Sequence, residues 1–219
     1  MNTAQLKRKW NNFGIENLMT YVVATMGVLW VTDYIFPEVA ISRFLYFDRS
    51  LILAGQVWRM LTFMFVVSTP SPLFAIFALF FYYIMGRTLE PYWGTHKFTV
   101  FFLLGMLFLN IAGFIAGIAL ADYFYQFMFF AYAIINPNEQ FMLFFVIPIK
   151  AKILAIIDAV FIIIELLDSM RYGFLPVLLS IVASLVLLII FFREMISTRI
   201  KAIKRRRKFK HDLDHRNDE

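Results

Sequence analysis

Phe98-Thr-Val-Phe-Phe-Leu-Leu-Gly-Met-Leu-Phe-Leu-Asn-Ile-Ala-Gly-Phe-Ile-Ala-Gly-Ile-Ala-Leu120 contains no charged residue. A helix needs ~20 mostly apolar residues to cross the hydrocarbon core of a bilayer, so this stretch is long enough to span. The same pattern recurs outward in both directions. Leu18–Phe36 and Leu61–Met85 precede it; Tyr123–Asn136, Ile153–Leu167 and Phe174–Phe192 follow. Six such runs use most of the 219 residues and leave no room for a separate soluble domain. The chain is 61% hydrophobic, against ~45–50% for soluble domains. Its mean hydropathy is +0.73. The fourth run is short, and Pro70 and Pro72 interrupt the second. A short run is accommodated by tilting or by local thinning of the bilayer. The expected architecture is an all-α integral membrane protein with a cytoplasmic basic lead (1–17), a six-span domain (18–192) and a cytoplasmic basic tail (193–219).

Charge is unevenly placed. The net charge is +6, and ten of the 21 Lys and Arg follow Phe192, chiefly in Lys201-Ala-Ile-Lys-Arg-Arg-Arg-Lys-Phe-Lys210. Lys7, Arg8 and Lys9 mark the other end, and no small-residue cleavage site follows the first run, so a retained signal anchor is expected. The positive-inside rule then places both termini, the 87–97 loop and the 138–152 loop in the cytoplasm, with the nearly neutral 37–57 loop outside. A basic tail directly after a span meets anionic lipid at the membrane surface rather than nucleic acid. There are no cysteines, which excludes disulfides and thiolate metal sites. Short loops and the lack of a glycosylation motif at Asn138 are compatible with a bacterial plasma membrane.

The loop from Pro37 to Trp58 is too apolar to float in water and is expected to lie in the outer interface, where Trp and Tyr concentrate. Gly113 and Gly117 form a GxxxG pattern that allows close helix approach, within the bundle or between two copies. Asp158 and Glu165 are two helical turns apart on the fifth run, hence on one face. Ionisable groups within a span usually face the bundle or a wet cavity. They suit a proton path or a hydrogen bond to a neighbouring helix. Asp33 reads as interfacial and Asn110 as an interhelical hydrogen bond. Phe124–Phe130 reads as lipid-facing filler.

Three further patterns coincide. Gly55-Gln-Val-Trp-Arg-Met-Leu-Thr62 precedes the second span; Gly86-Arg-Thr-Leu-Glu90 with Trp93-Gly94 ends it; Pro137-Asn138 and Pro148-Ile-Lys-Ala-Lys152 lie between the fourth and fifth. In that order the chain resembles a rhomboid-fold protein from about Gly55 to Lys152, and the last two patterns resemble the prokaryotic branch. The resemblance implies an intramembrane serine protease with a GxSG serine in the fourth span, a histidine in the sixth, and a histidine and asparagine as oxyanion donors in the second. A serine nucleophile needs an adjacent base. The fourth run holds no serine, and the expected position falls near Asp122. The sixth run has Ser180 and Ser184 but no histidine, and His96, His211 and His215 all lie outside the runs. The oxyanion positions fall at Phe74 and Ala78, or at Pro72 and Ile76. No catalytic residue is therefore assigned.

Trp58 and Arg59 do match, and they are shared with derlins, rhomboid-fold proteins that handle membrane clients without cleaving them. They are expected to anchor the first loop or to touch a client, unless they are simply an interfacial Trp and a snorkelling Arg. The sequence thus points to a proteolytically inactive rhomboid-like protein that binds transmembrane segments of other proteins and affects their stability, delivery or degradation. A rhomboid protease using Ser180 or Ser184, with Asp158 or Glu165 as base, is one alternative. A small proton-coupled transporter using Asp158 is the other. HExxH, GxGD, phosphate-loop and dinucleotide patterns are missing, so no metal or cofactor is expected.

Overall fold

The computed structural model describes residues 14–69, 71–143, 147–171 and 173–193. The basic lead at Lys7–Lys9, Pro70, the basic tail, His211 and His215 lie outside the described residues. Helix α1 spans Leu18–Ile35. The first loop carries a 3₁₀ turn at Ile41–Phe44, short helices α2 (Arg49–Leu53) and α3 (Arg59–Thr62), and a second 3₁₀ turn at Phe63–Phe65. Then come α4 (Pro72–Trp93), α5 (Thr95–Ala116), α6 (Asp122–Ile135), a hairpin of β1 (Gln140–Leu143) and β2 (Ile147–Lys150), α7 (Ala151–Ser169) and α8 (Phe174–Arg193).

Two expectations need correction. The fold is not purely α: Gln140 pairs with Lys150 and Phe141 with Ile149 in an antiparallel hairpin. The hairpin tucks Phe141 under the bundle, its ring 4.7 Å from Phe81 and 5.4 Å from Tyr132. The six-span count is also only partly met. Four described helices, α1, α4, α5 and α8, are long and apolar enough to cross a membrane. Helix α6 has 14 residues and rises about 21 Å at 1.5 Å each. Helix α7 carries Lys152, Asp158, Glu165 and Asp168.

The run Leu61–Met85 is likewise not one helix. Pro72 sits at the first turn of α4, where its missing N–H costs nothing, and the chain before it is extended at Val66. The second span therefore starts later and runs on to Trp93.

The long helices alternate in direction. The N-terminus of α1 meets the C-terminal part of α4, where the Asn17 N–H donates to Glu90 Oε1 at 2.9 Å. At the other end, Trp30 Nε1 donates to the Thr69 carbonyl at 2.9 Å. Helix α8 returns beside α5, with Phe191 against Trp93 and Phe101. Arg87, Lys97, Lys150, Lys152 and Arg193 consequently gather at one end of the bundle, and the first loop sits at the other.

Helix α6 is the centre. Tyr123, Phe124, Tyr125, Phe127, Met128, Phe129 and Tyr132 are all buried, so the Phe124–Phe130 stretch is core and not lipid-facing filler. The reason is a seat that the sequence does not advertise: at Gly105 a side chain would collide with the ring of Phe124.

Candidate functional site

The first loop is fastened by three side chains of one short segment. Residues 43–46 end a 3₁₀ turn, and their carbonyls need donors. Arg59 Nη1 donates to the Arg43 carbonyl at 3.0 Å and to the Tyr46 carbonyl at 2.7 Å, while its Nε donates to Gln56 Oε1 at 2.7 Å. Trp58 Nε1 donates to the Phe44 carbonyl at 3.1 Å. Thr62 Oγ1 donates within reach of the Leu45 and Trp58 carbonyls, both at 3.1 Å. Four consecutive carbonyls are thus each met by the Trp-Arg-x-x-Thr pattern. Arg59 is 3% exposed, too deep for a snorkelling arginine. The fork suits a planar guanidinium, whose donors lie in fixed directions. Trp58 is about half exposed and presents its ring outward beside Leu53, Val57 and Leu61, an apolar rim at the interface end.

Beneath the loop lies a cleft of about 440 Å³ between α1 and the segment leading to α4, lined in part by Trp30, Asp33, Tyr34, Tyr46 and Ser68. Asp33 accepts from the Ser42 N–H at 3.1 Å, capping the 3₁₀ turn, and Ser68 Oγ donates to Asp122 Oδ2 at 2.7 Å. Burial, with Asp122 and Asp33 nearby, pushes the Tyr46 phenol above its usual range. Asp33 and Asp122 drew notice in the sequence as separate positions. Nothing in their spacing signalled that Asp33 lines this cleft and that Asp122 holds Ser68 of its wall.

The Gly-Arg-x-x-Glu pattern has a packing origin. Gly86 and Glu90 are one turn apart on α4 and both face α1. A side chain at Gly86 would collide with Met19, and buried Glu90 receives the Asn17 N–H where the helix dipole favours a negative group. Arg87 reaches back to the Tyr83 hydroxyl at 2.7 Å. Trp93 packs its ring 5.0 Å from Phe101, and Gly94, at φ 86°, makes the turn into α5. Gly113 and Gly117 hold the first loop and not a second helix. Phe47 fills the space over Gly113; Gly117 ends α5 at φ 99°, and its carbonyl receives the Arg49 N–H at 3.0 Å. Asn110 Nδ2 likewise donates to the Met60 carbonyl in α3 at 2.9 Å, in place of a long-helix partner.

Asp158 faces a groove of about 210 Å³ walled by Phe81 of α4, Phe129 of α6, and Leu154, Ile157 and Phe161 of α7. Its Oδ2 is buried without a hydrogen-bond partner. Glu165 lies along the same helix, close enough to the Tyr123 hydroxyl to act on it electrostatically. Ser180 is fully buried, and its Oγ accepts from the Leu120 N–H at 3.2 Å. The Ser184 hydroxyl is buried and has no partner. Neither serine hydrogen-bonds a carboxylate or an imidazole among the described residues. His96, the one described histidine, begins α5, whereas Leu120 follows its far end. The 22 residues of α5 rise about 33 Å.

A family described as eukaryotic integral membrane protein (DUF1751) matches residues 17–207. The chain belongs to this family. It is an integral membrane protein, and the match runs from the start of α1 through α8 into the basic tail. The family is described as eukaryotic; the short loops are no more than compatible with a bacterial membrane and do not set the source. No curated protein and no solved structure matches the chain.

Proposed function

We propose that this chain is a proteolytically inactive, rhomboid-like membrane protein that binds transmembrane segments of other proteins and thereby affects their stability, delivery or degradation. Asp158 is the observation that carries this reading. An unpartnered polar atom facing hydrocarbon is costly, and in lipid no water is at hand to satisfy it. A client helix that brings a lysine, arginine, asparagine or serine to that depth removes the cost. Helix α7 suits such a role. Its closest packing is against α6 and β2, and Phe161, Ile163, Ile164 and Leu167 stand exposed on it.

The rhomboid-like assignment rests on the three motifs and on the alternating order of the helices. In this reading all six long helices cross. Helix α6 is encased by its neighbours, so the lipid thickness does not set its length. The end bearing Arg87, Lys97, Lys150, Lys152 and Arg193 faces the cytoplasm. Trp58 and Arg59 keep the loop as a fixed rim above the bundle. Plasma-membrane residence, with both termini cytoplasmic, belongs to the same proposal. Acceptor sites for N-glycosylation inserted at residues 38–40 should be modified and sites at 94–96 should not.

The decisive test places a photo-crosslinker at Phe161 in native membranes and reads the captured proteins by mass spectrometry. Capture of membrane proteins that persists in Asp158→Asn and is lost in Asp158→Leu is expected. Equal capture by the leucine variant sinks the reading. Truncated partners would instead point to proteolysis, to be checked with Ser180→Ala and Ser184→Ala. A proton path is the second reading, favoured by the same carboxyl, and flux into liposomes that survives Asp158→Asn removes it.

A further inference from the structure

The opposite flank of α7 carries a second groove, of about 360 Å³, where it lies against α6. Lys152, Ala155 and Ala159 follow one another on α7 at helical spacing; Phe130, Ala133 and Ile134 form the α6 wall. The alanines make the depth: larger side chains at those positions would close the two helices over each other. The walls are hydrocarbon almost throughout, and Lys152 stands at one end. Lys150 is two residues away at the entry to the helix. Neither lysine side chain has an ion-pair or hydrogen-bond partner among the described residues. The groove ends at the end of the bundle where the other basic residues gather, at the level of lipid headgroups. Its α7 lining runs from Lys152 to Ala159 along the helix.

We propose that this groove binds one anionic glycerophospholipid of the surrounding leaflet, with an acyl chain laid over Ala155 and Ala159 and the headgroup phosphate at Lys152 and Lys150. An apolar slot alone would take any lipid. The two uncompensated lysines, with no carboxylate in the lining, select a headgroup of net negative charge. A lysine near such a surface contributes about fivefold in affinity, so the pair discriminates by about an order of magnitude or more. This site is independent of the client face at Asp158, which lies on the other flank of the same helix.

The full-length protein is reconstituted in vesicles of phosphatidylcholine with one quarter phosphatidylserine, extracted in mild detergent, and weighed by native mass spectrometry. One retained phosphatidylserine is expected. Lys152→Gln lowers its retention about fivefold, and Lys150→Gln/Lys152→Gln reduces it to the level of phosphatidylcholine. Ala155→Phe, which fills the slot, removes both lipids. Ala159→Leu repeats that result with a smaller change, and thermal unfolding shows that each variant keeps the fold. Retention that ignores Ala155→Phe and Ala159→Leu overturns the proposal. So does retention lost only when Arg205, Arg206 and Arg207 are neutralised, which moves the lipid to the tail, or equal retention of the two lipids by the wild-type protein.

Discussion

Arg59→Ala should detach the first loop. The substitution removes three hydrogen bonds and leaves two backbone carbonyls, of Arg43 and Tyr46, facing a site that is closed to water. Hydrogen bonds from a charged donor contribute about 1.5–3 kcal/mol each. Gln56 can turn toward solvent and recover its own bond, so the two carbonyls dominate, and the loss is about 3–5 kcal/mol. Trp58→Phe deletes one neutral bond beside solvent and should cost about 1 kcal/mol. Thr62→Val should cost a similar amount. Arg59→Lys does not rescue, since an ammonium cannot reproduce the fork. In a chain of this size about 1 kcal/mol corresponds to ~2–4 °C in the unfolding midpoint, so Arg59→Ala should unfold about 10 °C lower in detergent. Amide hydrogen exchange adds the local reading: residues 41–53 should exchange faster in the variant while α5 and α6 stay protected. A midpoint within 1 °C of wild type, or a larger effect from Trp58→Phe than from Arg59→Ala, refutes the assignment of the loop clasp to the buried guanidinium.

Four other outcomes follow from the packing and charge. Gly86→Ala should destabilise by about 1–3 kcal/mol through collision with Met19, and Met19→Ala in the same chain should restore little of it, because the Met19 Cβ as well as its Cγ stands in the way, read by detergent unfolding. Gly113→Leu should speed exchange in the first loop by displacing Phe47 and leave the oligomeric state in light scattering unchanged; a shift in mass would show a helix dimer face after all. Glu90→Gln should cost a few tenths of a kcal/mol and Glu90→Ala about 1–2 kcal/mol, because the amide keeps an acceptor for the Asn17 N–H and the methyl does not. The Tyr46 phenol is raised in the folded state, so its contribution to stability is complete below pH 10 and is lost as the pH climbs through the folded value. Tyr46→Phe should therefore flatten the alkaline decline of the unfolding midpoint, and Asp122→Asn should lower the pH at which the phenol ionises in an ultraviolet titration.

The class of the protein was legible because hydropathy acts over whole segments. Runs such as Phe98–Leu120 need no tertiary knowledge to be recognised, and the chain's family is one of integral membrane proteins. The detail that failed depends on neighbours. Phe124–Phe130 has the composition of a lipid-facing helix, and only the missing side chain at Gly105 lets α6 enter the core. The hairpin was hidden because Gln140–Lys150 is short, and its strands are fixed by Phe141 docking on Phe81 and not by intrinsic preference. Gly113 and Gly117 carry a helix-pairing signature, yet an aromatic ring from a loop occupies the space over Gly113, and Gly117 serves as the turn that ends α5. Trp58 and Arg59 were found by pattern. What they hold, the carbonyls of residues 43–46, lies more than a dozen residues away and follows from no spacing rule. The cleft at Asp33, Tyr46 and Ser68 was missed for the same reason: three distant segments meet there.

The clasp on residues 43–46 has a bearing on how such chains are recognised. Tryptophan, arginine and threonine grip only main-chain oxygens there, and main-chain oxygens are present whatever residues the loop carries and whatever chemistry the bundle does or does not perform. The pattern can therefore persist through the loss of a reaction and through wholesale rewriting of the loop. A search keyed on it finds a way of holding a loop, and says nothing about the chemistry of the chains that share it.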